Sequence, residues 1–271
     1  MARLLDYAAF AQHTYDSTNG LHRRIIGTTT IYDFDPKHPL SSGWQQVHRL
    51  STQYARHHSF YAELFVLVQH HRAVEAVVAF RGTLITQLRN DWSDIKITTM
   101  HRLPVNFSQA LAFYGHAERF LKKQYSYTVP LSVTGHSLGG MIAKLVAIKR
   151  HSKAVAFNAP GIGEEKLVNA HHDYRHQIVN INSTKGAINK IGKSIGQISY
   201  VPLQQGEHEL HNIDENEAWI KQFPLQKDPW AISDLPEKML SDLDKHHMIS
   251  LLNALIHMAP NKRPTLPWRH V

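Results

Sequence analysis

Leu131-Ser132-Val133-Thr134-Gly135-His136-Ser137-Leu138-Gly139-Gly140-Met141-Ile142 is the stretch on which the fold turns. A short β-prone run, Leu131 to Thr134, leads into Gly-His-Ser-Leu-Gly-Gly, and an apolar helical pattern, Met141 to Arg150, leaves it. G-x-S-x-G between a strand and a helix marks a nucleophile turn. The glycines have a physical reason. A turn sharp enough to expose a serine hydroxyl at the carboxyl edge of a sheet leaves no room for side chains at 135 and 139. The same geometry aims the helix N-terminus at the site and frees the Leu138 N–H for a developing oxyanion. Ser137 is therefore the candidate nucleophile for acyl transfer.

Working outward, residues 2–15 carry Leu4, Leu5, Ala8, Phe10 and Ala11 at helical spacing. Residues 61–68 and 74–80 are apolar and β-rich, with His70-His71-Arg72 between them, and predict a hairpin. Residues 108–124 predict a helix capped by Ser108, with Ala112, Phe113, Ala117 and Phe120 on one face. Strands follow at 153–158, 177–182 and 197–203. This alternation predicts a mostly parallel sheet with helices on its faces. Residues 204–245 are polar and acidic with scattered Trp and Pro, and read as an inserted cap on a single domain spanning 1–271. Residues 260–271 hold three prolines and several basic residues and read as a loose end.

Composition narrows the class. The chain has 271 residues, 42 % of them hydrophobic, a formal charge of +8 and 21 histidines. That is enough apolar material for a full core. The absence of cysteine excludes a disulfide scaffold, a thiol nucleophile, a thiolate zinc site and an iron–sulfur cluster. No apolar run approaches the roughly 20 residues of a spanning helix. Met1 to Phe10 carries Arg3 and Asp6 and does not read as a signal peptide, so a cytoplasmic protein, or one exported by a signal-independent route, is expected. The positive charges are dispersed, as on a solvated basic surface; anionic lipid headgroups are the next reading. No nucleic-acid signature is present.

Phe80-Arg81-Gly82-Thr83 closes an apolar strand and offers a second oxyanion donor, Thr83. Together with Asp91-Trp92-Ser93-Asp94, Gly135–Gly140 and Phe157-Asn158-Ala159-Pro160-Gly161, it resembles the class 3 (fungal lipase-like) α/β-hydrolases, and more closely their bacterial lipase and phospholipase A1-like relatives. The resemblance covers roughly residues 1–200. It implies an α/β-hydrolase sheet and carboxylic ester hydrolysis on a lipid substrate, without cofactor or metal. It places the nucleophile at Ser137 and the oxyanion donors at Thr83 and Leu138.

The histidine base belongs on a loop after the last strand. His246, opening an apolar helix in His246-His247-Met248, and His211, in Leu210-His211-Asn212-Ile213-Asp214, are the two main candidates; His247 is a third. The acid is where this chain departs from the family. Ser183 to Gly192 contains no carboxylate, and Gly186 stands where an aspartate is expected. Glu164 or Glu165, Asp214, or a Ser–His dyad with Asn189 or a backbone oxygen orienting the ring are the remaining routes. A catalytically impaired lipid- or protein-binding module is the alternative this loss favours. Gly192-Lys193-Ser194 lacks the glycine spacing of a phosphate loop. His208-Glu209-Leu210-His211 has the wrong spacing for a zinc helix, and His172 and His176 read as an exposed pair on one side of a helix.

Overall fold

The computed structural model describes residues 2–16, 23–26, 29–32, 43–47, 60–82, 103–104, 106–162, 173–184, 192–203 and 248–268. Among them a nine-stranded sheet runs in chain order. Its strands are β1 (Arg23–Ile26), β2 (Thr29–Tyr32), β3 (Trp44–Gln46), β4 (Ala62–Gln69), β5 (Arg72–Phe80), β6 (Leu131–His136), β7 (Ala154–Phe157), β8 (Ile178–Ser183) and β9 (Gln197–Val201). β1 to β5 pair antiparallel, and β5 to β9 pair parallel. The helices are α1 (Leu4–Asp16), α2 (Phe107–Tyr125), α3 (Leu138–Arg150) and α4 (Met248–His257). This is the α/β-hydrolase fold, and the parallel block carries the Gly135–Gly140 turn between β6 and α3.

Period-2 alternation divides the core. Leu64, Val66, Ala76, Val78, Phe80 and Val133 face α2 and α3. Phe65, Leu67, Val77, Ala79, Val155, Phe157, Val179 and Ile181 face α1 and α4. A sheet buried on both faces reads as continuous apolar strands, which is why β4 and β5 stand out in the sequence. They meet in a two-residue turn in which His70 and His71 both adopt positive φ, 48° and 61°. That is the conformation whose twist suits a tight hairpin. α3 is buried continuously from Gly139 to Ile148, and Lys149 and Arg150 close it in solvent, where its dipole favours positive charge. Phe10 stacks on Phe65 at 4.1 Å and meets Trp44 edge-on at 4.9 Å, fixing α1 to the sheet.

Three expectations are corrected. α2 begins one residue earlier than its supposed Ser108 cap; Asn106 is the cap residue and makes no side-chain capping bond. Its buried face is Phe107, Ala110, Phe113, Tyr114, Ala117 and Leu121, whereas Ala112 is exposed, because the apolar stripe follows the 3-4 spacing from Phe107. The C-terminal segment is docked through Trp268. Leu266 and Trp268 are 1 % and 5 % exposed within the α1–α4 core. Arg263 donates from Nε to Leu255 O and from Nη2 to Ile256 O, both at 2.8 Å, satisfying carbonyls that the end of α4 leaves open. The proposed cap, 204–245, lies outside the described residues. Among the described residues no helix is long and apolar enough to cross a membrane.

Trp268→Ala is expected to lower the unfolding free energy by about 3 kcal/mol, read from the urea midpoint, because it empties a buried site in the core between α1 and α4. A change below about 0.5 kcal/mol would show the segment to be a surface tail.

Candidate active site

Ser137 sits between β6 and α3 with φ 57° and ψ −128°. This region is sparsely populated for a residue with a side chain and costs about 1–3 kcal/mol. Neighbouring backbone holds the turn in place. Ser137 N–H donates to Phe157 O at 3.0 Å, and Met141 N–H donates to Ser137 O at 3.1 Å, the first bond of α3. A Cβ at Gly139 would lie 2.2 Å from Phe80 O, and one at Gly135 would lie 2.5 Å from Gly139 C. Both glycines are steric requirements of the turn. Ser137 is 2 % exposed, and its Oγ has no hydrogen-bond partner among the described residues. Leu138 is the first residue of α3, so its N–H has no carbonyl one turn behind it. The helix N-terminus adds positive potential at that point.

The exit of β5 crosses directly above this turn. A Cβ on Gly82 would stand 2.5 Å from His136 O and 3.1 Å from Ser137 Cβ. Gly82 N–H donates to Tyr15 Oη at 3.1 Å, and the same oxygen shares a hydrogen bond of 2.9 Å with His136 Nδ1. Burial pushes the Tyr15 phenol above its ordinary pKa. Arg81, beside it, lies over the Tyr61 ring at 4.8 Å, and burial lowers its pKa. Tyr61 Oη donates to Glu63 Oε1 at 2.7 Å. Glu63 is fully buried and also binds Gln46 Nε2 at 2.7 Å and His13 Nδ1 at 2.5 Å. A polar cluster thus runs from the last turns of α1 to the strand end beside Ser137.

On the other flank, Asn158 adopts φ 43° at the exit of β7 and accepts the Ser183 N–H on Oδ1 at 2.7 Å, tying the ends of β7 and β8 together. Asn182 is 1 % exposed, and neither end of its carboxamide has a partner among the described residues. Lys144, two turns into α3, is fully buried. Its Nζ donates to Pro160 O at 2.6 Å and Asn180 Oδ1 at 3.2 Å. Among the described residues no carboxylate faces it, and desolvation brings its pKa down to about 7. Gly161 packs on Gly192 and Lys193; its Cβ would lie 2.5 Å from Gly192 C, and Ile162 N–H donates to Lys193 O at 2.9 Å. Gly192-Lys193-Ser194 is therefore backbone support for the β7 exit.

A family model described as phospholipase-like, a Tle-like phospholipase domain, matches residues 8–188, more than half of the chain. The chain belongs to the Tle-like phospholipase domain family. Similar solved structures include a lipase from Rhizopus microsporus var. chinensis, at 18 % identity over 52 % of this chain and 57 % of that one, TM-score 0.38. Others are the Rhizomucor miehei lipase–propeptide complex, at 16 % identity over 72 % and 66 %, TM-score 0.39, and carboxyl esterase 2 from Tuber melanosporum, at 13 % identity over 53 % and 71 %, TM-score 0.33. The chain spans little more than half the length of the Rhizopus lipase. No curated protein sequence matches it.

The described part of this phospholipase-like domain brings Ser137, Leu138 and Gly82 together. Thr83, Asp91–Asp94, Glu164, Glu165, Gly186, Asn189, His211, Asp214, His246 and His247 lie outside the described residues. His176 is exposed in a 3-10 turn, Tyr174–His176, and not on the α-helix expected for it and His172. Among the described residues no group of acids and histidines is arranged to hold a metal. Sequence reasoning missed the roles of Lys144, Asn158 and Glu63 and the burial of Asn182. Their signal was present: each is a polar residue inside or ending an apolar run that the fold buries on both sides.

Lys144 sets a pH dependence. Below about pH 7 its amine is protonated in both the folded and the unfolded chain. Above that, only the unfolded chain keeps the proton until the ordinary lysine range, so stability rises with pH. Relative to Lys144→Met, which lacks this group, the native chain is expected to gain about 2 kcal/mol between pH 7 and pH 9, measured by urea unfolding at each pH. Parallel pH profiles for the two proteins would contradict a depressed Lys144.

Proposed function

We propose that this domain hydrolyses the acyl ester of a phospholipid or lysophospholipid through an acyl-enzyme on Ser137. The observation that carries the reading is the strained backbone of Ser137, held between two glycines at the N-terminus of a buried helix, with a hydroxyl that has no partner among the described residues. Strain at one residue that its surroundings over-determine is characteristic of a functional site. The family supports a lipid substrate, and a chain of charge +8 suits an anionic lipid surface.

In this mechanism His246, with His211 as the alternative, takes the Ser137 proton as Oγ attacks the ester carbonyl. The N–H groups of Leu138 and Thr83 receive the oxyanion. The histidine returns the proton to the leaving alcohol, and water then releases the fatty acid. Glu164 or Asp214 orients the imidazole, or the pair works as a dyad. Residues 204–245 form the cap in this reading, and no cofactor takes part. One observation favours a second reading: Ser183 to Gly192 contains no carboxylate. That suits a hydrolase-fold module that binds lipid without turning it over.

A fluorophosphonate probe, with and without detergent micelles, separates the two. Rapid labelling at Ser137, a fall in ester turnover of about a thousandfold or more in Ser137→Ala, and loss of labelling in either His246→Ala or His211→Ala are expected. An unlabelled protein in micelles, with vesicle binding retained in Ser137→Ala, would replace the hydrolase reading by the binding module.

A further inference from the structure

We propose that Tyr15 is a positioning residue of the oxyanion hole: its phenol fills the space of the side chain that Gly82 cannot carry and pins the backbone that leads into Thr83. The inference rests on the hydrolase reading above and deepens it. Gly82 is glycine because the turn beneath it leaves no alternative, with His136 O at 2.5 Å and Ser137 Cβ at 3.1 Å from where a Cβ would be. That solution has a cost. A glycine has the loosest backbone of any residue, and it stands immediately before the proposed oxyanion donor. A donor acts only if it is already aimed at where the charge develops.

Tyr15 supplies the missing constraint. Its Oη lies 2.4 Å from the same hypothetical Cβ, so the phenol occupies that volume. It accepts the Gly82 N–H at 3.1 Å and bonds His136 Nδ1 at 2.9 Å, with the two rings edge to face at 5.6 Å. One oxygen thereby joins the exit of β5 to the residue preceding the nucleophile. The phenol is itself held from behind. It sits in the last turn of α1, two residues after His13, which is bonded to the buried Glu63 of β4. Removing the hydroxyl leaves the Gly82 N–H without this acceptor and the exit of β5 without its tie to His136.

Tyr15→Phe tests this on the full chain. The kcat for a short-chain ester, per site titrated to completion by the fluorophosphonate, is expected to fall about ten- to a hundredfold, with KM within about twofold. The inhibition constant of an alkyl boronic acid, whose serine adduct places oxygen in the oxyanion hole, is expected to weaken by the same factor as kcat/KM. A merely structural tyrosine would lower Tm and the number of titratable sites, but leave kcat per site and boronate affinity unchanged; that result overturns the proposal. If Tyr15→Phe does not fold, His136→Leu and His136→Gln take its place. Only Gln can still bond the phenol, so boronate affinity lost in Leu and kept in Gln supports the bridge, whereas equal affinities overturn it. Ser137→Ala distinguishes the two levels. Undiminished turnover in Ser137→Ala removes the hydrolase reading. An inactive Ser137→Ala beside a fully active Tyr15→Phe removes only the role of Tyr15.

Discussion

The approach of the β5 exit to the β6–α3 turn constrains everything around it. Phe80 O would lie 2.2 Å from a Cβ on Gly139, and His136 O 2.5 Å from one on Gly82. Backbone therefore packs on backbone where other strand–helix connections place side chains. The turn must tighten until Ser137 occupies a region that costs about 1–3 kcal/mol, and packing on both sides of the sheet offsets that cost. The continuously buried α3 acts as the wedge on one face, and α1 with α4 closes the other.

Such close packing displaces the usual means of holding a loop. Side chains are excluded at the glycines, so position is set by hydrogen bonds from residues distant in sequence. Tyr15 reaches Gly82 and His136 from α1, Asn158 reaches Ser183 across two strand ends, and Lys144 reaches Pro160 from inside α3. Asn158 and Lys144 are buried and Tyr15 is half-buried, and a polar group withdrawn from water is tolerated only when its partners are in place. Each therefore acts as a register pin, correct in one arrangement and costly in any other. The His13–Glu63 pair serves the same end for the last turns of α1.

Much of this was legible in the chain. The continuous apolar runs of β4 and β5, the period of α1 and α3 and the glycine spacing around Ser137 follow from local geometry, and local geometry is what residue order encodes. The Ser108 cap and Ala112 misled because several registers of one apolar stripe satisfy the same pattern, and contact with the sheet chose the one starting at Phe107. The C-terminal segment looked loose because its prolines and basic residues suggest solvent. Arg263 instead closes α4, and Trp268 enters the core.

Residue order alone dictated the class of fold and the place of the Gly-His-Ser-Leu-Gly-Gly turn, because both depend on residues within a few places of one another. Tertiary structure decided which distant groups stand beside that turn. Tyr15 and Gly82 are 67 residues apart and Tyr15 and His136 are 121 apart. No periodicity connects residues so far separated. They meet because the sheet brings the ends of β5 and β6 side by side, and because burial leaves the phenol oxygen among partners that must be satisfied.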